Sequence, residues 1–207
     1  MGLKNPVTLI NVKTKETNFL GKELKKIRGK YFYLRKQASK NKNLELLRKF
    51  KNKEKNKINS ILHNISKNVV SKAFVNKSGI VIGQLKDLKK NKGRKFNRKL
   101  SNFSYYKLTQ YIKYKSLEKR VPYIIVSENN TSKTCNVCGI TGKRTKNWFE
   151  CSCGYKDNAD RNAAFNIGKR GLSYTLRLGV NAFAQKSINH LNGQAHNQKI
   201  MQICNLH

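Results

Sequence analysis

The sequence predicts a mixed α/β fold carrying a small metal-binding insertion. Three observations carry that expectation. Residues 6–20, PVTLINVKTKETNFL, alternate apolar and polar, as a half-buried antiparallel hairpin requires. Two short apolar runs, IVIGQL at 80–85 and VPYIIVS at 121–127, read as buried strands separated by a helical stretch. Between the second run and a further helix lie four cysteines in two close pairs, Cys135, Cys138, Cys151 and Cys153.

The elements follow in order. The hairpin turns near Lys13–Lys15. Residues 22–37 predict a basic helix with Leu24, Ile27, Tyr31 and Leu34 on one face. A longer helix covers roughly 44–75, where Ile58, Ile61, Leu62, Ile65, Val69 and Val70 recur at helical spacing. Its other side is almost all Lys and Asn, which fits either a solvated face or a phosphate contact. His63 lies among the apolar positions and reads as structural. After the strand at 80–85 comes a lysine-rich loop over 86–99. Tyr105, Leu108 and Ile112 mark the next helix, and Pro122 stands near the start of the following strand, where a missing N–H does little harm. Asp160 to Gly168 predicts a helix ending near its glycine, and 171–207 has only weak periodicity. Two buried strands joined by a helix make a parallel βαβ unit. Added to the hairpin, the order resembles an RNase H-type sheet.

The cysteine pairs, C-x-x-C and C-x-C, bracket a twelve-residue loop with Gly142, three basic residues and Trp148. Each pair sits in a tight turn closed by a glycine, Gly139 or Gly154. Four thiolates complete a tetrahedron around Zn²⁺, so this reads as a structural zinc ribbon. The alternative is two disulfides. The charge balance and the absence of a signal-peptide pattern argue against that.

Composition narrows the partners. Lys and Arg number 45 against 10 Asp and Glu, a formal charge of +35 over 207 residues. Self-repulsion of that size calls for a polyanion, nucleic acid first and a membrane surface second. No apolar run is long enough to span a bilayer. Cysteine usage suits a reducing compartment, so a cytoplasmic, nucleoid-associated location is expected. The fifth cysteine, Cys204, has no close partner in sequence.

With ten acids, each can be weighed. Glu16, Glu23, Glu45, Glu54 and Glu118 stand among lysines on exposed faces, Glu150 lies inside the ribbon, and Asp87 in the lysine loop. Glu128, Asp157 and Asp160 remain. Glu128 follows the C-terminal end of a buried strand, where open α/β sheets bind ligands. Asp160 shares a helix face with Ala163, Ala164 and Ile167, which turns its carboxylate toward the sheet. A buried carboxylate needs a partner, and Mg²⁺ would supply one. The residues alone leave alternatives open: Asp160 as a helix N-cap, and Glu128 as a loop residue paired with Lys133. Trp148 and the tyrosines suit core packing before base stacking.

GIVIGQLK, SENNTSKTCNVCG and CGYKDNADRNAAFNIG together resemble the C-terminal half of TnpB proteins, transposon-encoded OrfB-type relatives of type V CRISPR nucleases. The resemblance covers about residues 1–170. It implies a RuvC nuclease domain of RNase H fold with an inserted zinc ribbon, performing Mg²⁺-dependent, RNA-guided DNA cleavage, with DNA and a guide-type RNA as partners and no membrane. The family site is Asp, Glu, Asp, and its last Asp, in D-x-N-A-A, falls on Asp160. The Glu normally ends the strand before the lysine loop, in a V-x-E-D-L-like string. Here Val81-Ile82-Gly83-Gln84-Leu85 lacks it. Glu128, on the neighbouring strand about 4.8 Å away, is read as the relocated ligand, resembling one branch of the family, with Gly83 leaving room. A decayed site is the alternative. The family's first Asp stands in a D-x-G string, and Met1-Gly2-Leu3-Lys4-Asn5-Pro6 resembles its continuation.

The resemblance therefore implies a C-terminal fragment, not catalytic as an isolated chain. Its expected layout is an N-terminally truncated RuvC-like domain over 1–130, the ribbon over 131–156, a last RuvC-like helix over 157–170 and a tail over 171–207. A nuclease-dead nucleic-acid-binding accessory protein is the competing function. A ribosome-associated zinc-ribbon protein is disfavoured by the D-x-N-A-A string.

Overall fold

The computed structural model describes residues 6–84 and 105–178. The lysine loop with Asp87 and Gly93, Leu85, the Met1–Asn5 string, and the tail beyond 178 with Cys204 lie outside the described residues.

The hairpin pairs β1 (Val7–Ile10) with β2 (Thr17–Leu20), in antiparallel register from Val7↔Leu20 to Ile10↔Thr17. Its turn is built locally. The Asn11 side chain accepts from the amides of Lys13 and Thr14 at 3.0 and 3.1 Å, and Lys15 takes φ 61°. Gly21, at φ 82°, then swings the chain into α1 (Lys22–Lys40), which buries Leu24, Tyr31 and Ala38. This helix runs one turn beyond its expected end.

Asn43 caps α2 (Leu44–Val75) by accepting from the Leu46 amide at 2.9 Å. The short link lays the two helices side by side, and Arg35 pairs with the part-buried Glu54 between them. The apolar stripe of α2 forms the main core: Ile58, Leu62, Ile65, Val69 and Val70 are all buried, with Leu62 only 1% exposed. Its lysine-rich side stays in water.

β3 (Ile80–Gln84) and β4 (Tyr123–Ser127) pair in parallel, joined through α3 (Tyr105–Glu118), so the expected crossover unit is present. Val121 and Pro122 precede the strand; the Val121 amide instead bonds Ser116 O at 2.8 Å and closes α3. One expectation needs correcting. Among the described residues the hairpin and the parallel pair are separate two-stranded sheets rather than one mixed sheet. A cleft of about 800 Å³ lies between β1 and β3.

The cysteine module adds a three-stranded antiparallel sheet, β5 (Lys143–Thr145), β6 (Trp148–Glu150) and β7 (Lys156–Asn158). Strand alternation on β6 buries Phe149 completely and leaves Trp148 49% exposed, so Trp148 is not the core residue expected. Tyr31 and Tyr123 are buried, whereas Tyr33, Tyr106 and Tyr114 are exposed. His63 stacks on Tyr111 at 3.9 Å, in keeping with a structural role.

β7 leads straight into α4 (Ala159–Leu178), which packs on β1, β3 and β4. This helix runs ten residues past Gly168, the expected terminator. A Cβ on Gly168 would lie 2.4 Å from Val12 Cγ2, and one on Gly171 2.4 Å from Val81 Cγ2. These glycines serve close approach of the helix to the hairpin turn and to β3, and do not end the helix.

Candidate functional site

Two constellations sit side by side at the junction of β4, the cysteine module and α4. The first is the cysteine set. Gly139 and Gly154, at φ 78° and 84°, let each turn fold back: Gly139 donates to Cys135 O at 3.0 Å and Gly154 to Cys151 O at 3.1 Å. Gly142 allows the intervening loop to close, since a Cβ there would lie 2.5 Å from Glu150 O.

The four Sγ atoms lie within 4.8 Å of one another, with Cys138–Cys151 at 3.5 Å and Cys135–Cys153 at 3.8 Å. All four are free thiols, and these separations exceed a disulfide's ~2.05 Å. They suit a tetrahedron: a metal–sulfur distance of about 2.3 Å puts neighbouring sulfurs about 3.8 Å apart. The Val137 amide also points at Cys135 Sγ, 3.4 Å away. Hydrogen bonding from the Cys153 backbone, aided by the neighbouring thiols, lowers Cys151 to about 7. The set could hold a metal ion.

The second constellation is the carboxylate pair. Glu128 extends β4, its amide donating to Gln84 O at 3.3 Å. Its side chain lies across Gly83: a Cβ on that glycine would be 2.4 Å from both Cγ and Oε1 of Glu128. No ion pair joins Glu128 to Lys133 among the described residues. Burial raises the Glu128 pKa above the ordinary carboxyl value.

Asp160 is buried in the first turn of α4 and lines the same cleft as Glu128, Gly83, Ala163, Ala164 and Ile167. It is not the helix cap. Asn158 Oδ1 accepts from the amides of Asp160 and Arg161 at 2.9 and 3.3 Å, which leaves the Asp160 carboxylate for other partners. One of these is Arg144 of the cysteine module, at 3.3 Å. Asp157 is committed elsewhere, to Tyr155 Oη at 2.6 Å, Arg161 Nη1 at 3.1 Å and the Asn158 amide at 2.7 Å.

Sequence reasoning passed over the side chains that join the two constellations. Asn162 is wholly buried. Its Oδ1 accepts from the Asn136 amide at 2.9 Å and its Nδ2 donates to Thr134 O at 2.8 Å. One turn on, Asn166 Nδ2 donates to Thr131 O and Thr134 O at 2.9 and 2.7 Å. The two asparagines fasten the first cysteine turn to α4. Their i, i+4 spacing in DRNAAFN was the available signal, since two polar residues on an apolar helix face need buried partners. Arg170 likewise ties the helix to β4 through Ser127 O at 2.9 Å.

The chain is similar to known proteins over this region. Residues 105–167 match the family model "Cas12f1-like, TNB domain". The chain is 34% identical over 117 residues to a CRISPR-associated endodeoxyribonuclease Cas12f2 of Micrarchaeota archaeon (strain CG1_02_47_40), covering 51% of this chain and 21% of that protein. It is 38% identical over 111 residues to the TnpB-like protein aq_aa05 of Aquifex aeolicus (strain VF5), covering 50% and 36%. A cryo-EM structure of a Cas12f1–sgRNA–target DNA complex superposes with TM-score 0.66 at 25% identity, over 80% of this chain and 47% of that one. The chain thus spans less than half the length of these proteins. Over about half of its own length, it is a relative of TnpB and of the type V Cas12f proteins.

Proposed function

We propose that this chain forms part of a TnpB-type, RNA-guided DNA endonuclease. In this reading residues 1–130 and the helix within 157–170 belong to a RuvC-like nuclease domain of RNase H type. Residues 131–156 form a zinc ribbon held by Cys135, Cys138, Cys151 and Cys153. Glu128 and Asp160 hold divalent metal, with Mg²⁺ as the working ion. DNA and a guide-type RNA are the partners, in keeping with the +35 charge.

One observation carries the reading. Glu128, from the end of a parallel strand, lies over a glycine on the neighbouring strand and shares a cleft with the helix-borne Asp160. Two carboxylates that share one cleft repel each other when both are ionised, and a divalent cation between them would offset that repulsion. A bound Mg²⁺ would activate a nucleophile and stabilise the leaving oxygen of a phosphodiester. Glu128 and Asp160 would hold the ion, and Arg144 orients the Asp160 carboxylate. The cysteine module acts as a support, because a closed set of four thiolates offers no open coordination position.

The test uses a chimaera, because the chain spans less than half the length of its relatives. The N-terminal portion of a TnpB relative, its guide RNA and this chain should together cleave matched DNA with Mg²⁺. Glu128→Gln and Asp160→Asn should each abolish cutting, while Asp157→Asn retains it. Cleavage at the original rate by Glu128→Gln would remove Glu128 from the site.

A further inference from the structure

An aromatic and basic cluster lies where α2 packs on α3. It joins His63 and Lys67 of α2 to Lys107, Tyr111, Tyr114 and Lys115 of α3. Spacings of three and four residues bring each set to one helix face. None of the six lines the cleft that Glu128 and Asp160 share.

The rings are held in a fixed arrangement. His63 stacks on Tyr111 with centroids 3.9 Å apart and planes at 27°. Tyr114 stands edge-on to Tyr111 at 6.0 Å, and its hydroxyl meets His63 Nδ1 at 3.3 Å, which orients the imidazole. Lys115 fixes the backbone beneath. Its ammonium donates to His63 O and to the Oγ of the fully buried Ser66, each at 2.7 Å. Tyr111 covers one face of the imidazole. His63 is nevertheless exposed, and Tyr114 beside it is 45% exposed, so the outer face of the imidazole meets solvent.

Positive charge surrounds this open face. Lys107 Nζ lies 5.8 Å from the Tyr111 centroid, and Lys115 Nζ 5.8 Å from that of Tyr114. Desolvation lowers the Lys115 pKa, with Glu118 opposing and Lys67 reinforcing the shift. Among the described residues neither Lys67 nor Lys107 has an ion-pair partner. Desolvation, then Lys115 and Lys107, also lowers the His63 pKa, so the ring is neutral at neutral pH. Ring packing alone does not call for such company. Like charges gathered around exposed rings destabilise the fold unless a polyanion meets them.

A free aromatic face among unpaired ammonium groups fits an unpaired base and its phosphates. Every base has a π-face, so such a surface holds single strands with little regard to sequence. A duplex keeps those faces stacked inside itself. An acidic peptide would satisfy the lysines and leave the imidazole face without a partner.

We infer that this face of α2 and α3 is a docking site for a single strand of nucleic acid, in which an unpaired base stacks on the outer face of His63 while Lys67 and Lys107 contact phosphates. The stack then runs from Tyr111 through His63 to the base, with Tyr114 alongside. The inference rests on the reading that nucleic acid is this chain's partner, and it does not depend on metal at Glu128 and Asp160.

The test uses the full, zinc-loaded chain and a fluorescein-labelled oligothymidylate of about ten nucleotides. Its abasic counterpart carries the same phosphates and no bases. Anisotropy is read at about 0.3 M salt, where phosphate attraction is weakened. The wild-type chain should bind oligothymidylate about five- to a hundredfold more tightly than the abasic strand. His63→Leu, at an exposed position, should reduce that preference about fivefold or more. His63→Phe, which restores a ring, should recover it. Lys107→Gln should weaken both strands alike and lower the salt slope by about 1. Full preference in His63→Leu would overturn the inference and leave nucleic acid as the partner. Equal binding of both strands by the wild-type chain would overturn it as well, and so would displacement of oligothymidylate by oligoglutamate of equal charge, which marks a surface for acidic proteins. Binding of neither strand would overturn both this inference and the nucleic-acid reading.

Discussion

Gly83→Ala separates the position of Glu128 from its charge. The added Cβ would lie 2.4 Å from Glu128 Cγ and Oε1, and ordinary contact begins near 3.4 Å, so the carboxylate must retreat by at least 1.0 Å (3.4 − 2.4 Å). The atoms in the way belong to one flexible side chain. An off-rotamer Glu costs about 0.5–1.5 kcal/mol, and replacing Gly by Ala in a strand returns about 0.5–1 kcal/mol. Stability should therefore change by less than about 1 kcal/mol, a few degrees in Tm. Function should respond far more. A misplacement of about 1 Å can cost on the order of a hundredfold in rate, and disturbing the support of a metal ligand about ten- to a hundredfold in affinity. The assays are a thermal melt and a Mn²⁺ titration of the chain, with cleavage measured in the chimaera. Wild-type melting with wild-type Mn²⁺ affinity would refute the reasoning. So would a collapse of the fold, because the strand would then depend on Gly83 for reasons other than Glu128.

Other expectations follow from the same geometry. Cys138→Ser, or a strong chelator, should release one zinc and unfold the cysteine module, since structural zinc contributes on the order of 10 kcal/mol. Trp148, the chain's single tryptophan, reports this as a fluorescence change, while far-UV CD should show α2 retained. Asn162→Ala removes a buried acceptor and donor and orphans the Asn136 amide, while Thr134 O keeps its bond from Asn166. It should cost about 1–3 kcal/mol in denaturant melts, against a small effect for the exposed Asn56→Ala on α2. Glu128, whose folded pKa is raised by burial, costs stability once pH rises above the ordinary carboxyl value near 4.5, because the unfolded chain then ionises more readily. Without divalent metal, Glu128→Gln should therefore melt higher than wild type at neutral pH. That advantage should vanish as pH falls below about 4.5.

Where one local rule governed, the sequence was readable. The hairpin and the α2 stripe follow from periodicity, and the parallel pairing of β3 with β4 from two apolar runs joined by a helix. The cysteine set follows from spacing, because C-x-x-C and C-x-C turns have few other uses. The Glu128–Gly83 approach was legible only through the family resemblance, which implied an acid on the first strand and so drew attention to the glycine beside Glu128.

What could not be read depends on contacts between distant segments. Gly168 carries a helix-end signal locally, yet Val12, well over a hundred residues away in sequence, makes it an interior position. Arg144 is one of many basic residues in sequence, and only the fold of β5 onto α4 brings it to Asp160. Among the described residues the separation of the hairpin from the parallel pair is likewise invisible in strand patterns, because an edge strand and a central strand can have the same composition.

The central claim is that Glu128 and Asp160 together hold a divalent ion. The most direct measurement is a Mn²⁺ titration of the zinc-loaded chain, followed by electron paramagnetic resonance at neutral pH. The account predicts one specific Mn²⁺ site, displaced by Mg²⁺ and lost in both Glu128→Gln and Asp160→Asn while the fold is kept. Unchanged Mn²⁺ binding in either variant, or no specific Mn²⁺ site in the wild-type chain, would contradict it.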